Sequence, residues 1–78
     1  TTLDQAVGDE PTRVTVRRIG EPLQDNAAVM TALRRAGARP GATVRVTASA
    51  GGGVLLGSAG ESAELDLGTA AHVQVVPA

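Results

Sequence analysis

Glu21 and Gln24, in the stretch "GEPLQD" from Gly20 to Asp25, are the residues whose types and spacing best fit a chemical task. A carboxylate oxygen and an amide carbonyl oxygen are hard donors suited to divalent cations. Three positions apart, they would face opposite sides of a sheet in an extended strand, but they converge in a β-turn or a 3₁₀ turn. Pro22 favours convergence. It biases Glu21 away from the α region and suits the second position of a type I turn. The spacing therefore predicts a tight turn over Glu21–Gln24 with both oxygens on one side. Two donors are too few to hold a transition metal, so three or four more must come from another domain or from water. The pair is either half of a clamp between domains or an ordinary exposed turn, and the residues alone leave both readings open.

Other candidates are weaker. There is one histidine, no cysteine and no lysine. A Ser-His-acid arrangement would need His72 with Ser49, Ser58 or Ser62, and no nucleophile-elbow pattern surrounds these serines. An enzyme is therefore not expected. His72, alone in a short turn before the last strand, reads as a hydrogen-bonded structural residue rather than a ligand. "GGGVLLG", Gly51 to Gly57, lacks the Lys-Ser/Thr pair of a phosphate loop and leads into a strand, so it reads as a hairpin turn. Arg17-Arg18 and Arg34-Arg35 read as solvated faces, because acidic residues outnumber basic ones by eight to seven.

Composition narrows the classes further. All seven basic residues are arginine and the net charge is −1, without the basic excess of a domain that binds nucleic acid through its own surface. No Phe, Tyr or Trp is present to stack on bases or line a proline-recognising groove. The absence of cysteine fits a reducing compartment such as the cytoplasm. No apolar run reaches the length of a membrane span and no leader pattern is evident. The opening Thr1 in place of Met fits an excised or processed piece of a longer protein.

The elements that must position the pair follow from periodicity. "RVTVRRI", Arg13 to Ile19, alternates as a half-buried strand, with Val14 and Val16 inward and the Arg17-Arg18 pair breaking the pattern at its end. Asp25 or Asn26 caps a helix over "AAVMTALRRAG", whose Val29, Met30, Leu33 and Ala36 share a face and whose Gly37 stops it. Further strands are expected over "ATVRVTAS" (Val44, Val46 and Ala48 inward), "VLLGS", "SAELDL" (Ala63, Leu65 and Leu67 inward) and "VQVV", with one helical turn at "GTAAH". The fold class is mostly β: a small closed SH3-like barrel of about five strands with one α-helix inserted after the first. Residues 1–12 are expected as a linker-side segment with at most one short helical turn, at Leu3, Ala6 and Val7, docking on the domain, and residues 13–78 as the domain.

The run "VRRIGEPLQDNAAVMTALRRAGARPGATVRV", with "GGGVLL", "AELDL" and "AAHVQVV" after it, resembles the C-terminal SH3-like (FeoA-like) domain of iron-dependent repressors of the diphtheria toxin repressor type, from about Val14 to Val76. The resemblance implies an N-terminal winged-helix domain that contacts operator DNA, a middle dimerisation domain carrying most metal ligands, and a homodimeric full-length protein. It places Glu21 and Gln24 on the glutamate and glutamine that the family's third domain gives to an ancillary metal site. It implies ferrous iron, with manganese as the alternative, held only in the full-length protein. It also implies that the domain takes up a proline-rich stretch of the protein's own linker, which would precede Thr1. The "AGARPGATVRV" segment is shared with small stand-alone ferrous-iron-transport accessory proteins, which are the second reading.

Overall fold

The structure, a computed structural model, describes residues 1–58 and 60–78. β1 (Thr12–Ile19), β2 (Thr43–Ala48), β3 (Val54–Ser58), β4 (Glu61–Leu65) and β5 (Val73–Pro77) form one antiparallel sheet in the order β4-β3-β2-β1-β5. Four short helices join them: α1 (Leu3–Ala6) ahead of β1, α2 (Glu21–Gln24) and α3 (Ala27–Arg35) between β1 and β2, and α4 (Leu67–Ala70) before β5. This is the mostly β arrangement expected, compatible with an SH3-like barrel. Among the described residues no helix is long and apolar enough to cross a membrane.

The core forms because alternate strand residues share one face. Val14, Val16, Val44, Val46, Val54, Leu56, Val73 and Val75 are all buried there, and Leu33 of α3 closes over them. Without aromatic rings, contact depends on close approach of small side chains. Ala36, Ala38 and Ala70 are fully enclosed where the helices meet the sheet.

β1 runs to Ile19 as expected, and the Arg17-Arg18 pair breaks its alternation. The register against β5 slips there: Val16 pairs with Val75 and Arg18 with Gln74, a β-bulge that inserts one extra residue. Both arginines are exposed and Ile19 turns back into the core. The bulge thus resolves a conflict between two consecutive charges and a strand that must end inward.

α3 is delimited by its own sequence. The Asn26 side chain accepts a hydrogen bond from the Val29 N–H at 3.1 Å, so Asn26 rather than Asp25 is the cap. At the other end Gly37 (φ 79°) donates to the Arg34 carbonyl, and Ala38 donates to that of Leu33. These two bonds make a Schellman stop. The Ser58 hydroxyl then donates to the Ala36 carbonyl at 3.1 Å, tying the helix end to β3.

Residues 1–12 hold one helical turn, α1, docked on the domain: Leu3 is fully buried, the Val75 N–H donates to the Thr1 carbonyl at 2.8 Å, and Thr2 bridges Gln74. Three expectations change. The sheet's two edges, β4 and β5, are not paired with each other; this opening segment covers β5 and α3 packs by β4. Ala48 is exposed at the end of β2. Leu67 is half exposed because β4 stops at Leu65 and Asp66 starts a helix instead of continuing the alternation.

Asp66 Oδ1 accepts from the Thr69 N–H at 2.6 Å. That backbone bond, and then the Thr69 hydroxyl, hold the Asp66 carboxyl below its ordinary 3.8, with slight desolvation opposing. A depressed folded value means the contribution to stability is complete above the ordinary carboxylate range and is lost as pH falls through the folded value. Asp66→Ala is expected to lower the melting temperature at neutral pH, with the gap to the native chain closing in strong acid. Asp66→Asn, a competent cap, should keep most of the stability. Melting curves at both pH values read the difference; a gap unchanged by acid contradicts it.

Candidate functional site

α2 is one helical turn over Glu21–Gln24, the residues where a tight β- or 3₁₀ turn was expected. Its bonds run from the Leu23 N–H to the Gly20 carbonyl at 3.1 Å and from the Asn26 N–H to the Leu23 carbonyl at 3.0 Å. Pro22 sits in the first turn, where an N–H would have no intrahelical acceptor, so its missing donor costs nothing. Leu23 is buried and pins the turn to the core, while Glu21 and Gln24 are exposed. Residues three apart on a helix are neighbours on one face. The two oxygen-bearing side chains therefore rise from the same side of the turn.

The turn is anchored from beneath. The Gly20 N–H donates to the His72 carbonyl at 2.7 Å, and a Cβ on Gly20 would sit 3.0 Å from that oxygen. Gly20 thus lets the end of β1 press against the start of β5. Gln24 Nε2 donates to the Ile19 carbonyl at 2.8 Å, satisfying the last acceptor of β1. With its NH₂ group so held, the side chain is oriented and its Oε1 remains available as an acceptor. Among the described residues, no group of three or more His, Cys, Asp or Glu is placed to hold a metal ion. A carboxylate oxygen and an amide oxygen, as on Glu21 and Gln24, are donor types that suit a hard cation, and two of them are fewer than such a cation takes.

His72 is exposed, and it is the backbone carbonyl of this residue, not its ring, that ties the turn. Ser49 Oγ accepts from the Gly53 N–H at 2.9 Å and Ser58 Oγ serves Ala36, so both hydroxyls are engaged by backbone. Gly51–Gly53 lies in the β2–β3 hairpin turn, with Gly52 at φ 91°. Arg34 and Arg35 occupy the last turn of α3, where cations favour the helix dipole.

Two features were beyond sequence reading. The Gln24–Ile19 bond joins residues five apart across a strand end, and no spacing rule anticipates it. Arg13 and Arg45 prove to be direct cross-strand partners. Alternation placed each on the outer face, but only the register puts them opposite one another.

No curated protein sequence matches the chain. The family model of the FeoA domain matches residues 2–77, and so takes in α1 as well as the sheet. With nearly every residue included in that match, the chain belongs to the FeoA domain family.

Proposed function

We propose that this FeoA domain is a regulatory module of a metal-dependent transcriptional repressor and gives Glu21 and Gln24 to an ancillary divalent-cation site completed by the dimerisation domain. The observation that carries this reading is α2: a turn pinned inward by Leu23 that leaves Glu21 and Gln24 exposed three residues apart, with the Gln24 amide oriented by its bond to Ile19. A metal shared between two domains favours the arrangement that brings its ligands together, and so biases the protein toward its metal-loaded, operator-binding form. The cation is ferrous iron, or manganese as the alternative. Operator DNA is contacted by the N-terminal domain of the homodimer, in the cytoplasm. A proline-rich linker upstream is a further ligand of this domain. With no aromatics, its groove would be aliphatic and the binding weak, effective only at the high local concentration of a tether.

The double substitution Glu21→Ala/Gln24→Ala in the full-length repressor is expected to weaken the ancillary site on the order of tenfold or more and to move operator binding to higher metal concentration. Unchanged metal dependence of operator binding removes the reading.

The second reading, a ferrous-iron-transport accessory protein, draws on one specific observation. The segment ahead of β1 is built into the sheet edge and the core through Thr1, Thr2 and Leu3, as a self-contained module requires. The coding sequence ahead of Thr1 separates the two: a winged-helix and dimerisation region supports the repressor, and a start codon supports the transport accessory.

A further inference from the structure

The outer face of the sheet holds a recess of about 580 Å³ between β1–β2 and the β3–β4 hairpin. Arg13 and Arg45 form one end, paired directly across β1 and β2 and both exposed. Like charges directly opposite on a sheet destabilise it unless an anion offsets them. Two pairs along, on the same face, the Thr15 and Thr43 hydroxyls are 3.1 Å apart, so side chains on this face meet across the strands. Arg45 is next opposed by Gly57, which cannot carry a side chain because the backbone of Glu61 and Ser62 occupies that space. The β4 backbone thus closes over Gly57, and beside it stands Leu55, 38% exposed and, among the described residues, one of two large apolar side chains left uncovered. Glu61 stands on the opposite wall.

We propose that this recess binds an extended acidic segment of a partner protein. Its carboxylate meets Arg13 and Arg45, an apolar side chain rests on Leu55 beside Gly57, and no acid falls at the Glu61 end. Charge complementarity selects the occupant: two guanidiniums paired across the strands, with a glycine as Arg45's other neighbour, suit a carboxylate, which arginine binds through charge-assisted hydrogen bonds. The acid on the far wall sets the direction in which the segment lies. A nucleic-acid backbone fits poorly, since Glu10 borders the arginines on one side and Glu61 faces them on the other. The site is separate from the oxygen pair of α2. Arg13 and Ile19 lie at opposite ends of β1, roughly 20 Å apart along an extended strand, and the proposal stands whether or not α2 binds metal.

The test is a nuclear magnetic resonance titration of the isotope-labelled chain with a blocked six-residue peptide bearing aspartate first, leucine third and lysine last. A control peptide has asparagine in place of the aspartate. Amide shifts are expected at Arg13, Arg45, Leu55 and Gly57. Affinity should fall on the order of tenfold for the control and for Arg45→Gln, the loss of one charge-assisted contact. Equal binding of the control peptide overturns the proposal, as does inorganic phosphate moving the same amides with equal affinity. Shifts at these amides that grow with protein concentration alone assign the face to a second copy and overturn it too.

Discussion

Leu33→Ala is expected to cost about 2–5 kcal/mol and to lower the thermal midpoint by on the order of 10–30 °C. Leu33 is the one fully enclosed side chain that α3 sends into the sheet, at 1% exposure. The flanking Val29 and Met30 are only partly buried, so they have limited means to fill the space it leaves. For a chain of 78 residues, total stability is on the order of 4–12 kcal/mol. The substitution thus removes a large share of it. Because α2 packs against α3, the turn carrying Glu21 and Gln24 should loosen with the helix. Circular dichroism melts measure the midpoint, and a fall of less than about 5 °C would mean that the core repacks around the gap.

Gly57→Ala is expected to disrupt the β3–β4 hairpin although it adds only a methyl group. That carbon would lie against the Glu61 carbonyl and 2.9 Å from Ser62 Cα. Both are backbone atoms of the paired strand, and they cannot swing aside as a side-chain tip does. Forced overpacking of this kind costs about 1–3 kcal/mol. Gly8→Ala is the matched control, since nothing lies within 4 Å of its added carbon. Replacing that glycine should be neutral or mildly stabilising through the unfolded chain. Hydrogen exchange should locate the Gly57→Ala effect in β3 and β4; equal melting points for the two variants would contradict the steric argument.

The sheet was readable because its strands alternate. "RVTV", "TVRV" and "VQVV" each put valines on one face, and those valines make the core. The helix was equally plain, since Asn26, Leu33 and Gly37 supply cap, contact and stop. Departures arose where one residue had two competing uses. Asp66 was counted as an outward strand position, but its carboxylate serves better as a helix cap, and Leu67 is carried outward with it. The break in alternation at Arg17-Arg18 was visible, but its form was not, because a bulge is a property of the pair of strands, not of one alone. Leu3 stood out as a residue that could dock on the domain, but its place beside β5 and α4 was not legible, because it depends on a distant part of the chain. The Glu21–Gln24 turn was legible because proline and spacing act locally. Its anchors on Ile19 and His72 were not, because they come from chain ends meeting in space.

The decisive experiment is calorimetric titration of ferrous iron, under exclusion of oxygen, into this chain alone, into the full-length protein, and into full-length protein carrying Glu21→Ala/Gln24→Ala. The half-site reading gives no saturable binding to the chain alone, an ancillary site in the full-length protein, and loss of that site with the double substitution. Stoichiometric binding to the chain alone, or an ancillary site indifferent to both substitutions, contradicts it.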